Sequence, residues 1–300
     1  MKDAPLAHSL ELELFRALRR AILARPHADA RRFGARFGRL GHRLVGVARR
    51  RAEESLEQAL PDLAPRRRRR LARASFESFG AHLFEAISVG RFSPDALLDL
   101  YDLEGWEIVD ELARTRGGFF LHTGHYGCFE LGLHPFGLLL GDVHAVARPA
   151  DNPHLEVEMR LQRERFGARM LGKIGAAHRM LNLVRRGGRV AIIIDQHIRP
   201  AAAVRVPFLG RLAWTSPVLA MLSIRTGAPV VHFTCTPRPG GRYRLAIRPP
   251  LWPEDLPSDR AAAEAVLTTR ILDRVADDVH AAPELWMWMS RRWRPYLRGS

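Results

Sequence analysis

The chain of 300 residues carries 47 Lys and Arg against 32 Asp and Glu, a formal net charge of +15, and 47% of it is hydrophobic. That length and apolar content suffice to bury a large core and exclude a disordered or low-complexity chain. Two cysteines, Cys128 and Cys235, exclude a disulfide framework, give no zinc-site spacing and suit a reducing compartment.

Residues 8 to 91 read as basic helices. Leu14, Phe15, Leu18 and Ile22 follow helical spacing, and Phe33, Phe37, Leu40, Leu44 and Val47 continue it with arginines between them. Such helices either lie in a lipid headgroup layer or pack their apolar stripe on the protein and leave the arginines solvated. Pro61 and Pro65 break the pattern, and Arg66 to Arg70 open a further helix ending near Gly90. We therefore divide the chain into a basic helical region, 1 to 91, and an α/β region, 92 to 300, the two forming one structural unit. From about residue 104 strands alternate with helices. The strands are expected at 118 to 122, 143 to 147, 189 to 194, 229 to 235 and 243 to 248. The helices are expected near 128 to 140, 153 to 166, 176 to 186, 215 to 226 and 259 to 280. Alternation of this kind predicts a layered α/β fold with a mostly parallel central sheet flanked by helices, and Pro239, Gly240 and Gly241 predict one hairpin.

Chemistry concentrates in GGFFLHTGHYGCFELG, residues 117 to 132. An apolar strand runs into a turn bearing His125, with Glu130 five residues on. Positions five apart diverge by about 140° on a helix of 3.6 residues per turn, so the two meet only if His125 lies on the turn and Glu130 opens the next helix. A carboxylate on one imidazole nitrogen fixes the tautomer and makes the other nitrogen a base for a hydroxyl proton. No G-x-S-x-G motif supplies a serine, so the hydroxyl is expected to belong to the substrate. Cys128 is either a second nucleophile on this turn or a small core residue. His122 and His125 could be a metal pair, but no third ligand stands at a familiar spacing. His125 and Asp195 both follow apolar strands, which places them on one rim of the sheet, where such folds bind ligands. Gly167 to Lys173 has the glycine and lysine spacing of a phosphate loop, yet Ile174 stands where magnesium needs a hydroxyl.

Five further blocks follow in order: ARPADNPHLE at 147 to 156, VAIIIDQHIRP at 190 to 200, VPFLG at 206 to 210, GAPVV at 227 to 231 and PELWMWMSRRWRP at 283 to 295. With the His-x4-Glu turn they resemble the bacterial lipid A biosynthesis acyltransferases, the lauroyl and myristoyl transferases of the lysophospholipid acyltransferase superfamily, over roughly residues 10 to 295. The resemblance implies an O-acyltransferase in which His125 is general base and Glu130 its orienting partner. It also implies that Arg148, Asn152, Asp195 and Gln196 line the acceptor and phosphate side of a cleft. No metal or cofactor is implied beyond an acyl thioester, on acyl-carrier protein or coenzyme A, as co-substrate. The implied partners are that carrier, anionic membrane lipid and a phosphorylated glycolipid acceptor, with no nucleic acid, at the cytoplasmic face of the inner membrane; attachment is expected to be peripheral because basic helices stand where the family commonly has a spanning segment.

Two departures bear on the acceptor. The third block continues as His197, Ile198 and Arg199 instead of an acidic residue or His followed by an aromatic and Gly. The spanning helix common in the family is missing from residues 6 to 25, which Glu11, Glu13, Arg16, Arg19, Arg20 and Arg25 interrupt. Phosphatidylinositol mannoside acyltransferases look similar and lack such an anchor, so they, with lysophospholipid acyltransferases, are the alternative. Nearly all the positive charge is arginine, because Lys2 and Lys173 are the only lysines, and guanidinium groups bind phosphate in bidentate fashion. A basic nucleic-acid-binding protein is the distant alternative, without an RNP element or zinc-finger spacing to support it. The tryptophans Trp286, Trp288 and Trp293 either contact lipid at an interface or pack on the sheet.

Overall fold

The computed structural model describes residues 4–115, 117–172 and 175–293. Lys2, Lys173, Ile174, Arg294 and Pro295, named above, lie outside the described residues. Four helices open the chain: α1 (Ala4–Leu23), α2 (His27–Leu44), α3 (Gly46–Ala59) and α4 (Pro65–Ser88). Pro65 stands in the first turn of α4, where a missing N–H costs no hydrogen bond. Helices α2 and α4 cross at backbone contact. A Cβ on Gly38 would stand 2.0 Å from the Phe76 carbonyl oxygen, and one on Gly34 would stand 2.4 Å from that of Gly80.

The rest alternates as the spacing predicts. In chain order come α5 (Pro94–Leu98), β1 (Tyr101–Glu104), α6 (Trp106–Thr115), β2 (Phe119–His122), α7 (Leu133–Leu140), β3 (Val143–Val146), α8 (Pro153–Glu164) and β4 (Ala168–Leu171). After them come α9 (Ala176–Arg185), β5 (Arg189–Ile192), β6 (Val204–Phe208), β7 (Arg211–Thr215), α10 (Val218–Thr226), β8 (Val230–Arg238), β9 (Arg242–Ile247) and α11 (Arg260–Ala281). Seven strands form one sheet in the order β1-β9-β8-β2-β5-β3-β4, parallel throughout except for the antiparallel pair β8 and β9. The fold is thus α/β, with a mostly parallel central sheet flanked by helices and a helical N-terminal region. Strands β6 and β7 form a separate hairpin.

Period-two burial sorts the central strands onto two cores. On β2, Phe119 and Leu121 join the layer of Phe136, Val143 and Phe233, whereas Phe120 joins the opposite layer with Leu219, Leu267 and Ile271. The second layer also takes in Ala52 and Leu56 of α3, Ala72 and Phe76 of α4, and Trp286 and Trp288. Phe15 and Leu18 of α1 and Phe33 of α2 pack on a third cluster with Ile22, Phe84 and Ile87. The amphipathic stripe therefore divides, because Leu10, Leu14, Phe37, Leu40, Leu44 and Val47 remain exposed.

Three differences from the sequence expectations matter for the site. Helix α7 begins at Leu133 rather than near residue 128, so the segment carrying Glu130 is a run of turns. The segment from Gly167 to Gly172, for which no strand was expected, holds the edge strand β4. The β6–β7 hairpin turns at Leu209 and Gly210, both at positive φ (48° and 74°), a geometry usually signalled by Asn-Gly and here carried by an unusual leucine.

Candidate functional site

Strands β2 and β5 are paired in register, with His122 opposite Ile192. His125 lies three residues past the end of β2 and Asp195 three past the end of β5, so equal offsets bring the two turns side by side at the carboxyl edge of the sheet. Gly124 permits the approach. A Cβ there would meet Val275 Cγ1 at 2.7 Å and Asp195 Oδ2 at 3.2 Å.

Asp195 is fully buried and accepts three hydrogen bonds. The His125 imidazole donates from Nδ1 to Oδ1 at 2.6 Å, while the His125 backbone N–H and the Trp286 indole N–H each reach Oδ2 at 2.8 Å. Burial alone would push this carboxyl up, but the charge and ring N–H of His125, the indole and the backbone N–H outweigh it and hold Asp195 well below the usual carboxylate range. An ionised Asp195 fixes the proton on Nδ1. Nε2 then keeps its lone pair on the partly exposed side of the ring, which lines a cavity.

The carboxylate on His125 is therefore Asp195, and the expected bond from Glu130 is not formed. Glu130 binds Arg163 of α8 instead, at 2.9 Å to Nη2 and 3.4 Å to Nε. The reason is local: residues 127 to 132 turn before α7 starts, with Gly127 at φ 57°. That path carries Glu130 toward α8. Buried His82 and His134 flank the pair, and burial pushes each down to about 4, so both are neutral neighbours of a charged couple.

Of the residues expected on the acceptor side, Arg148 and Gln196 line the cavity. Arg148 is largely exposed and bonds Asp151 at 3.0 Å. Asn152 is buried elsewhere: its side chain caps the start of α8 and holds α1 through His8 O and Glu11. Asp195 lies behind His125 and is no part of the lining. Phe129, next to the turn, lines the cavity, whereas Leu131, Phe208 and Leu209 are core residues.

The alternatives raised for the motif also resolve. His122 turns to the opposite face of the sheet and meets His232 Nδ1 at 3.0 Å, and no group of three metal-binding side chains occurs among the described residues. Cys128 is buried beside Glu85, and burial pushes its thiol well above the usual range, which leaves a poor nucleophile.

The cavity encloses about 590 Å³. Its floor is a row across four strands: Leu121 pairs with Ala191, Ala191 with Ala145, and Ala145 with Met170. Two alanines in the middle of that row leave an apolar trench over the sheet. Leu133, Phe129 and Phe233 complete its apolar lining, and His125, Gln196, His197 and Arg148 stand among its polar lining.

A base held by a buried carboxylate beside an apolar trench is an arrangement for activating a hydroxyl next to a long hydrocarbon. The family model described as bacterial lipid A biosynthesis acyltransferase matches residues 11–295. The chain belongs to this family. Membership makes it an acyltransferase acting on a lipid A-like acceptor at the level of the family. A comparison with curated proteins returned no match.

Sequence reasoning did not assign Arg163 or the indole of Trp286 to the site. Arg163 carries no local signal within a helix whose Glu156, Arg160 and Glu164 already offer i,i+4 pairings. Trp286 lay in a block already singled out, but a tryptophan gives no sign in sequence of which acceptor its N–H will find.

Proposed function

We propose that the protein moves a fatty acyl chain from a thioester, on acyl-carrier protein or coenzyme A, to a hydroxyl of a lipid A precursor or related glycolipid. The observation that carries this reading is the His125 and Asp195 pair standing beside the apolar trench. Nε2 of His125 takes the proton as the acceptor oxygen attacks the thioester carbonyl. The tetrahedral oxyanion then collapses and breaks the C–S bond, and the imidazolium returns its proton to the leaving thiolate, so ester and thiol are the products. The decisive assay is acyl transfer from both thioesters to purified acceptors, with mass spectrometry of lipids from cells with and without the gene.

The trench supports a length limit. Three strand spacings of about 4.8 Å separate β2 from β4, so the row spans about 14 Å. An extended hydrocarbon advances about 1.25 Å per carbon for bonds near 1.5 Å and angles near 111°, which gives room for on the order of eleven carbons. Ala191→Phe would fill the middle of the row. This variant is expected to shift the preferred donor toward chains shorter by several carbons, read from turnover across a thioester series; an unchanged length profile would remove the trench from acyl binding.

A second reading concerns the acceptor alone. The departing residues His197 and Ile198 line the cavity, which favours a phosphatidylinositol mannoside or another phospholipid as the runner-up. In either case Arg148 is the cation offered to an acceptor phosphate. Arg148→Ala is expected to weaken acceptor use by roughly tenfold or more, the loss of a charge-assisted contact of about 1.5 to 3 kcal/mol, while leaving thioester use unaltered. Equal acceptor constants in the two proteins would favour a neutral headgroup.

For location, the reading is peripheral attachment to the cytoplasmic face of the inner membrane. No helix among the described residues is long and apolar enough to cross a membrane. Leu10 and Leu14 on α1 and Phe37, Leu40 and Leu44 on α2 are exposed on helices rich in arginine. Binding to anionic vesicles is expected to fall as salt rises, with a screening length of about 8 Å at physiological ionic strength. Salt-independent association, released by detergent alone, would argue against an electrostatic contribution.

A further inference from the structure

The site leans on the last described stretch of the chain. Residues 283–293 run as a strap behind the two catalytic turns, and the strap holds both of them. Met287 N–H donates to the carbonyl of His125 at 3.0 Å, Gly127 N–H donates to the carbonyl of Leu285 at 2.9 Å, and Tyr126 and Trp286 form an antiparallel bridge. From the far side, Ser75 of α4 donates its hydroxyl to the Trp286 carbonyl at 2.6 Å. The main chain of the strap is thereby fixed to the turn that bears the base.

Two of its side chains act on the other turn. The Trp286 indole is buried, standing edge to face with Trp288 at 4.7 Å between centroids and with Phe208 at 5.6 Å. So confined, its N–H has one acceptor, Asp195 Oδ2 at 2.8 Å. Arg292 is also fully buried, and no carboxylate among the described residues lies within ion-pair distance of it. Its guanidinium donates to the carbonyls of Trp214, at 2.6 Å, and Gln196, at 3.4 Å, and to the Thr215 hydroxyl, and it lies 5.2 Å from the centre of the Phe208 ring. Burial pushes this group down to about 10, and the charge that opposes the shift is that of Asp195. An unpaired buried cation is costly. Here it ties the residue after Asp195 to the end of β7 and adds positive charge near the carboxylate.

We propose that the strap is the positioning element of this site, in which Trp286 aims the Asp195 carboxylate at His125 through its indole N–H and Arg292 locks the loop that carries Asp195. Both are positioning residues, acting on substrate only through the His125 and Asp195 pair. The kinetic consequence rests on the acyl-transfer reading, whereas the spectroscopic one does not.

The test is Trp286→Phe in the full chain, which keeps an aromatic ring against Trp288 and Phe208 and removes the N–H. Two kinds of measurement are made: kcat with KM for donor and acceptor, and the low-field proton resonance of His125 Nδ1–H with its rate of exchange with water. We expect kcat to fall about 10- to 100-fold, the scale of a small misplacement of a reacting group, with both KM values kept. The Nδ1 proton should shift and exchange faster, while the melting temperature falls only by the few degrees that one lost donor and a small cavity cost. Arg292→Lys keeps the charge and loses the fork, and is expected to fall between wild type and Trp286→Phe. A Trp286→Phe protein with unchanged kcat and an unchanged resonance would reduce the indole to packing, and an Arg292→Lys protein with full kcat would remove Arg292 from the device. A wild-type protein that transfers no acyl chain from either thioester, in which Trp286→Phe still moves the Nδ1 resonance, would overturn the acyl-transfer reading and leave the positioning role standing.

Discussion

A His125→Ala protein is expected to fold and to lose about 100- to 10,000-fold in acyl-transfer turnover, the range over which a positioned general base acts. Asp195, Glu130 and His134 do not replace it. Asp195 is buried behind the ring and held ionised by its donors. Glu130 is committed to Arg163, and His134 lies beside that pair with burial keeping it neutral. The fold should survive because the substitution removes one of three donors to Asp195 and keeps two, the His125 backbone N–H and the Trp286 indole. A cost of about 1 to 3 kcal/mol is expected for the weakened buried carboxylate. Melting followed by circular dichroism and single-turnover transfer measure the two effects separately. A folded His125→Ala protein with near wild-type turnover would falsify base catalysis by this residue.

The fold was legible where burial imposes a period. Strands β2, β5 and β8 lie in the centre of the sheet, are apolar on both faces, and fall within a few residues of the runs that predict them. The strands that left no signal are β1 and β4 at the two edges and the separate hairpin. Each is four or five residues long and mixes exposed with buried positions, so its pattern is shared by any short amphipathic stretch. The site was legible in part for a related reason. That His125 and Asp195 share a rim follows from the two apolar runs that precede them, but their direct contact depends on which strands are neighbours. The pairing of β2 with β5, 70 residues later, is a long-range choice of topology. Glu130 is near His125 in sequence, and that nearness suggested a bond. Proximity along the chain did not survive the turns between them.

Asp195→Asn puts that distinction to the test and is expected to cost about 1,000- to 10,000-fold, comparable with the loss when the Asp of a serine protease triad becomes Asn. The substitution keeps the shape and changes the donors. Oδ2 of Asp195 receives two N–H groups, from the His125 backbone and from Trp286. The Asn carbonyl oxygen must take that place, because an amide NH2 there would face two donors. The NH2 is then left against His125 Nδ1, which can only accept from it, so the ring proton moves to Nε2 and the base is lost to the wrong tautomer. Glu130→Gln has a different signature. It leaves Arg163 without its carboxylate, and breaking such a partly buried pair should lower stability in a way coupled to Arg163→Met, by about 0.5 to 3 kcal/mol in a double-mutant cycle. Any turnover that Glu130→Gln loses should be lost with the His125 Nδ1–H tautomer intact. The nitrogen chemical shifts of the His125 ring report the tautomer directly in both proteins. If the ring proton stays on Nδ1 in Asp195→Asn and leaves it in Glu130→Gln, then Glu130 orients the base in solution and the pairing with Asp195 does not.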